Sequence, residues 1–348
     1  MAPLLVFRAD ADVAIGSGHV MRCLALAKEW QAHGGESVFL GRISAGSLCE
    51  RLVDEGCRLH LLPASHPDPA DCAAVLVWLR EAHEQAGWVV LDGYHFSADY
   101  HDAIRASGWP LLVIDDYGHL PEYHADILLN PNAYAGELTY HTGVETLLLL
   151  GARYALLRRE FCEAREENRI AAPRGRRILV TMGGADQDNV CGRVVDALLA
   201  MGRGDLEVKI VIGSLNPHRQ DLRKRLEKAP FDVELLVTVT EMAPLMQWAD
   251  LAISAAGSTC WELAAMGVPM LVTVLADNQE RVAAYLEAHG AAINLGWFDE
   301  WQVKQVADVI EALLTDQEQR GRMAGNGQCV VDGMGCGRVV EMMLSRQR

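Results

Sequence analysis

The sequence predicts an α/β protein built from two doubly wound domains in tandem, and three observations carry that prediction. Short apolar runs that read as buried strands alternate with amphipathic stretches from Pro3 to Gly118. The alternation breaks in a charged segment that ends in proline and glycine, then restarts at Arg177. With 348 residues, the chain is long enough for two separate cores.

The first strand is PLLVF (residues 3–7), a short continuous apolar run. A helix from about Gly18 to His33 follows, because Val20, Met21, Leu24 and Leu26 form an apolar face among the helix formers Ala25, Ala27, Lys28 and Glu29. SVFLG (37–41) is the next strand, then a helix over Gly46 to Glu55 and the strand RLHLLP (58–63), stopped by Pro63. A helical stretch over Asp71 to Ala86, the strand WVVLDGY (88–94), a helix over Ala98 to Ser107 and the strand PLLVIDDYG (110–118) complete the series. Strands alternating with helices in this way imply a parallel sheet covered on both faces, with binding residues at the carboxyl ends of its strands.

YALLRREFCEAREENRIAAPRGRR (154–177) reads as a charged helix that ends in linker chemistry at Ala172-Pro173-Arg174-Gly175. The pattern resumes with RILVTMGGAD (177–186), a helix over Asn189 to Met201, EVKIVIG (207–213) and a helix near Pro217 to Lys228. VELLVTV (233–239), a helix over Met242 to Trp248, LAIS (251–254), a helix over Thr259 to Met266 and PMLVTVL (269–275) follow. The expected division is 1–155 for the first domain, 156–175 for the linker and 176–348 for the second. Two such domains facing each other would leave a cleft between their strand ends for a bridging ligand, and a last helix near Gly337 to Arg346 could pack back across it.

Composition narrows the function. The formal net charge is −16, from 47 acidic and 31 basic residues, which argues against nucleic acid as a partner. A small anion remains compatible, since a helix N-terminus acts locally while the distant field is screened. The nine cysteines form no CxxC and no zinc spacing, so no metal is expected and reduced thiols in the cytoplasm are. MAPLLVF is too short for a signal-peptide core, and no apolar run reaches membrane-helix length, so no membrane role is expected.

Three glycine-rich turns follow strands and precede helices: Gly16-Ser17-Gly18-His19; TMGGADQDN with Gly183, Gly184, Asp186 and Asn189; and SAAGSTCWE with Ser254, Gly257, Ser258, Thr259 and Glu262. Glycine lets backbone N–H groups approach an anion, and Ser or Thr hydroxyls add donors. None of the turns is a G-x-G-x-x-G fingerprint or a Walker motif, which argues against NAD and ATP and leaves a nucleotide diphosphate carried on another molecule, such as a sugar. His19 stands where free N–H groups and the helix dipole favour neutral imidazole, the form a general base needs. Glu262, three residues after Thr259, suits either a capping box or the vicinal hydroxyls of a ribose, and spacing alone favours the cap. Asn278 and Gln279, after a strand, suit either hydroxyl and phosphate recognition or turn formation. Asp115-Asp116 ends its strand as either a turn cap or a site, while most other histidines, His60, His66, His95 and His119 among them, read as surface or loop residues.

RADADVAIGSGHVMRCLALA, LDGYHFSADY, LLGARYALLRREF, GGADQDN, MAPLMQWADLAISAAGSTCWELAAMGVPML, DNQ and VDGMGCGRVV occur in this order. Together they resemble the UDP-2,4-diacetamido-2,4,6-trideoxy-β-L-altropyranose hydrolases of pseudaminic acid biosynthesis, the PseG/SpsG type. The resemblance extends over nearly the whole chain, and the first and fifth stretches are its most specific parts. The second half is also similar to the nucleotide-binding half of MurG-type glycosyltransferases. The resemblance implies the GT-B fold, two Rossmann-like domains around a cleft, and a reaction in which water displaces UDP at the anomeric carbon of a UDP-activated diacetamido sugar with inversion, without metal or cofactor. It further implies that His19 positions or deprotonates that water and that Asp10, Gly18, Asp92, Tyr94 and Asn278 surround the sugar, with Tyr94 and Asn278 in the catalytic set. The diphosphate would meet the backbone of Gly16 and Gly18 and the turn at Gly257 to Ser258. Ser17, Gly183, Gly184, Ser254, Thr259 and Gln279 would complete the substrate-binding set. Glu262 would take the ribose, against the preference from spacing, and the uracil would lie near Glu241 and Met242.

This chain departs from that pattern at three places. Gly93 stands where a bulkier polar residue is expected, Ala185 where a small hydroxyl residue is expected, and Ala256 in place of a second glycine. The first bears on the choice of sugar more than on the class of reaction. A UDP-sugar-dependent transferase and a catalytically idle sugar-nucleotide binder are the two alternatives.

Overall fold

The computed structural model of the protein describes residues 3–12, 15–82, 86–165, 171–183, 186–213 and 216–346. The chain divides into two units, residues 1–159 with 333–348 and residues 160–332.

The first unit is built on seven parallel strands: β1 (Leu4–Ala9), β2 (Glu36–Gly41), β3 (Arg58–Leu61), β4 (Ala86–Asp92), β5 (Leu111–Ile114), β6 (Ile127–Asn130) and β7 (Leu147–Leu150). They run in the order β3-β2-β1-β4-β5-β6-β7. The strands are near-continuous apolar runs because both faces of the sheet are covered. Alternate residues serve opposite faces. Leu5 and Phe7 of β1 pack in one core with the helix α1 (Gly18–Ala32) and with α2 (Gly46–Asp54). Leu4 and Val6 pack in another with α3 (Pro69–Glu81) and α4 (Ala98–Ala106). The order of the strands reverses between β1 and β4, so the crevice beyond their carboxyl ends is where this topology places a ligand.

The second unit opens with α5 (Arg159–Ala164), which starts at the unit boundary. It carries six parallel strands, β8 (Arg177–Thr181), β9 (Glu207–Ile212), β10 (Asp232–Val237), β11 (Leu251–Ala255), β12 (Met270–Val274) and β13 (Ala292–Trp297), in the order β10-β9-β8-β11-β12-β13. Its helices are α6 (Val190–Ala200), α7 (Arg219–Leu226), α8 (Ala243–Trp248), α9 (Thr259–Ala265), α10 (Glu280–Ala288), α11 (Val303–Thr315) and α12 (Gln317–Val330). Here the order reverses between β8 and β11.

The last helix, α13 (Gly335–Ser345), belongs to the first unit, although the sequence reading ran the second domain to residue 348. Val339, Val340 and Met343 are buried in the core beneath α1, and the Trp88 indole N–H donates to the Met343 carbonyl at 3.1 Å. Gly335 makes the close approach possible, since a Cβ there would lie 2.2 Å from the Ala155 carbonyl oxygen. Two other boundaries shift. The stretch read as helical to Ala86 ends at Glu81, with β4 starting at Ala86, and the charged helix after Tyr154 shortens to α5, with residues 166–170 outside the described set.

Candidate active site

The turn after β1 is shaped by its glycines and by Asp12. Gly16 has φ +77°, a conformation that a Cβ strains, and its N–H donates to the Asp12 carbonyl at 2.8 Å. The Ile15 N–H donates to Asp12 Oδ1 at 2.8 Å. Ser17 is the N-cap residue of α1 and makes no side-chain capping bond, and open space surrounds the Cβ directions of Gly16 and Gly18. The turn therefore exposes backbone rather than side chain at a helix N-terminus, as an anion site requires.

His19 is the second residue of α1, and its Nδ1 lies 2.7 Å from Oδ1 of Asp92, the last residue of β4. Asp92 is fully buried and accepts only, so it fixes the proton on Nδ1 and leaves the Nε2 lone pair for chemistry. Among the described residues Nε2 has no hydrogen-bond partner. Arg22, three residues on and hence on the same helix face, clasps the same carboxylate, with Nε 2.6 Å from Oδ2 and Nη2 2.6 Å from Oδ1. The Cys23 thiol reaches Oδ2 at 3.5 Å. Burial pushes the Asp92 carboxyl up, but the Arg22 guanidinium and the His19 imidazole outweigh it and hold the group well below the usual carboxylate range.

Arg22 continues to a second carboxylate, Nη1 donating to Asp116 Oδ1 at 2.8 Å. Asp116 also receives the Tyr94 hydroxyl on Oδ2 at 2.5 Å and the Asn132 amide on Oδ1 at 2.9 Å. Burial and the adjacent Asp116 push the Tyr94 phenol far up, so it stays protonated. Its ring meets His19 edge-on, the centroids 4.9 Å apart and the planes at 81°. His19, Asp92 and Tyr94 thus come together at the reversal of strand order.

Asp10 lies at the same strand ends but is only 2 % exposed. Its oxygens accept from Arg8 at 2.5 and 2.9 Å, from the Arg42 N–H at 2.7 Å and from His95 at 3.1 Å. It organises the floor of the crevice rather than facing it.

In the second unit the candidates gather after the adjacent strands β8, β11 and β12. Gly183 has φ +81° and open space around it, while Gly184 and Ala185 lie outside the described residues. Asp186, from the same motif, turns inward and caps α6, accepting from the Val190 N–H at 2.8 Å and the Cys191 N–H at 3.1 Å. Ser254 is buried, with Oγ donating to the Ala255 carbonyl at 3.0 Å. Gly257 opens to free space, Ser258 is the exposed N-cap residue of α9, and Thr259 is its first residue. Glu262 is therefore fourth in the helix, one residue past the capping-box position, and Ser258 forms no side-chain cap. Asn278 is exposed, whereas Gln279 shapes the turn, its Oε1 accepting from the Leu275 N–H at 3.0 Å. Met242 is buried at the start of α8, beside the exposed Glu241.

Arg22 and Asn132 were missed in the sequence, which left Asp116 open between a turn cap and a site residue. Arg22 had a signal, its spacing from His19; Asn132 lies in a loop with none. Among the described residues no group of three or more His, Cys, Asp or Glu side chains is arranged to hold a metal ion, and no helix is long and apolar enough to cross a membrane.

Residues 177–331 match the glycosyltransferase family 28 C-terminal domain. The chain is 27 % identical to the UDP-2,4-diacetamido-2,4,6-trideoxy-β-L-altropyranose hydrolase of Campylobacter jejuni, over 82 % of this chain and 97 % of that protein. It is 30 % identical to the Bacillus subtilis spore coat polysaccharide biosynthesis protein SpsG, over 57 % of this chain and 58 % of that protein. A similarly partial match covers 56 % of the uncharacterized protein MJ1062 of Methanocaldococcus jannaschii, so the chain spans little more than half the length of these two relatives. It is 31 % identical to the UDP-N-acetylglucosamine–N-acetylmuramyl-(pentapeptide) pyrophosphoryl-undecaprenol N-acetylglucosamine transferase of Ectopseudomonas mendocina, over 85 % of this chain and 87 % of that protein. The crystal structure of Acinetobacter baumannii MurG superposes with a TM-score of 0.67 at 17 % identity, over 99 % of this chain and all of that one, a likeness of fold. Both units are thus Rossmann-like parallel-sheet domains of the GT-B type.

Proposed function

We propose, for a chain that belongs to the UDP-sugar-acting GT-B family with a glycosyltransferase family 28 C-terminal domain, that it is an inverting hydrolase releasing UDP from UDP-2,4-diacetamido-2,4,6-trideoxy-β-L-altropyranose. The observation that carries this reading is the His19 imidazole, fixed through Nδ1 by Asp92 at 2.7 Å with Nε2 unpartnered beside an open glycine turn. The relative with this activity, matched over 97 % of its length, supports the choice of substrate.

In the proposed step Nε2 takes a proton from water as the water oxygen bonds to the anomeric carbon. The bond from that carbon to the UDP β-phosphate oxygen breaks, its electron pair leaves with UDP, and the proton on His19 passes to solvent. The leaving group is already good, so donors need only stabilise the charge that grows on the phosphate. In the first unit the Gly16–Gly18 turn supplies such donors and Tyr94 orients the sugar; the second unit by itself offers UDP the backbone of the Gly257–Thr259 turn and, for the ribose, Glu262. Attack on the face opposite the leaving group inverts the anomeric centre, as in inverting glycoside hydrolysis. The product would be a free diacetamido sugar for pseudaminic acid synthesis.

A transferase reading is favoured by the 31 % identical N-acetylglucosamine transferase, since the same imidazole deprotonates an acceptor hydroxyl equally well. NMR of the protein with the UDP-linked diacetamido sugar in ¹⁸O-labelled water separates the two. Inverted free sugar with ¹⁸O at its anomeric carbon, beside unlabelled UDP, is the expected result. Intact sugar nucleotide that turns over only when an acceptor is added would make the chain a transferase.

A further inference from the structure

Two carboxylate–imidazole pairs cross at the carboxyl ends of β1 and β4. Asp92, ending β4, holds His19 from the segment after β1, while Asp10, just past β1, holds His95 from the loop after β4, with Oδ2 3.1 Å from Nε2. The proposed chemistry uses only the first pair. The second is held as well, because Arg8 and the Arg42 N–H clamp the Asp10 carboxylate and the Phe96 ring lies 4.1 Å from the imidazole centroid.

His95 also depends on Gly93. A Cβ at that position would lie 2.8 Å from His95 Cε1, 3.1 Å from its Nδ1 and 2.9 Å from Phe96 Cε2. The imidazole thus occupies space that any other residue at position 93 would claim. A carboxylate only accepts, so the proton sits on Nε2 and Nδ1 keeps a lone pair. Among the described residues Nδ1 has no hydrogen-bond partner, and the side chain is 25 % exposed at the reversal of strand order.

We propose that His95, admitted by Gly93 and held by Asp10, is a specificity-determining residue of the sugar subsite whose Nδ1 accepts a hydrogen bond from a hydroxyl or amide N–H of the bound sugar. The inference rests on the reading that the ligand is a UDP-sugar. The absence of a side chain at position 93 then selects the sugar by placing a rigid acceptor in the crevice, in addition to widening it.

Calorimetric titration of UDP and of a non-hydrolysable phosphonate analogue of the UDP-diacetamido sugar tests this on wild type, Gly93→Ala, His95→Ala and the double variant. Gly93→Ala and His95→Ala should each weaken the analogue about 10- to 100-fold and leave UDP unchanged. In the double variant the two losses should not add, because both substitutions displace the same imidazole and the methyl then meets only the edge of the Phe96 ring. Wild-type affinity for the analogue in His95→Ala, equal weakening of UDP, fully additive losses in the double variant, or a wild type that prefers the analogue no more than UDP would each overturn the proposal. Hydrolysis of the natural sugar nucleotide by wild type, measured alongside, judges the reaction separately: its failure counts against the hydrolase and leaves the binding comparison intact.

Discussion

Arg22 meets Asp92 side-on, with Nε 2.6 Å from Oδ2 and Nη2 2.6 Å from Oδ1, and the third nitrogen, Nη1, bonds Asp116 Oδ1 at 2.8 Å. One guanidinium therefore bridges two carboxylates at the ends of neighbouring strands. Removing it with Arg22→Ala leaves a fully buried Asp92 with half its donors and should cost about 3–5 kcal/mol. Chemical denaturation of the variant checks this. Arg22→Lys should recover only part of the loss, since an ammonium cannot match the two-pronged contact.

Asp92→Asn tests whether the carboxylate orients His19 or merely fills space. The amide is nearly isosteric but carries no charge and offers an N–H to Nδ1, which favours the wrong tautomer. UDP release should fall by about 10²-fold or more while UDP affinity, carried by the turns, stays within about twofold. Steady-state kinetics and calorimetry on the same preparation check both halves.

His101 makes the first unit sensitive to acid. It is 1 % exposed, its Nδ1 accepts the His124 N–H at 3.4 Å, and burial, with the nearby His124 and His119, pushes its pKa down to about 4. The unfolded chain takes up this proton near pH 6.5 and the folded one only near 4, so the folded state binds fewer protons in between and stability falls as pH falls. The loss across that window should be on the order of 3 kcal/mol. Thermal unfolding from pH 7 to 4 should show it, and His101→Asn, which keeps the acceptor without the titration, should flatten the profile.

The two turns of the second unit divide by role, and two substitutions read the division. Gly257→Val places its side chain in open space, so the fold should persist while UDP affinity drops about tenfold or more, because the backbone is screened from phosphate. Asp186→Ala removes the cap of α6 and should cost about 1 kcal/mol of stability with UDP affinity unchanged. Calorimetry with UDP beside melting curves of both variants checks the contrast.

The alternation of apolar runs made both sheets legible and put His19 at the start of a helix, whereas Asp92 and Tyr94 were singled out only by the family resemblance. The strands β6, β7 and β13 went unread: the four residues of β6 and of β7 have too little length to reveal a period, and the six of β13 are interrupted by Asn294 and Gly296. The place of α13 was not legible, because its partners Trp88 and Ala155 lie far away in sequence. Site residues were found where local rules applied and missed where long-range pairing decided. Arg22 bonds residues 70 and 94 positions away, and the Asp10–His95 pair spans 85. Asp186 looked like a ligand residue because a helix cap and an anion-binding turn draw on the same residue types.

The most direct test of the account is single-turnover UDP release by His19→Gln, with UDP affinity measured on the same protein. A folded variant that binds UDP as wild type does but releases it about 10²- to 10⁴-fold more slowly is the predicted result. Release at the wild-type rate would contradict the account, because the Asp92–His19 pair would then have no part in delivering the attacking oxygen.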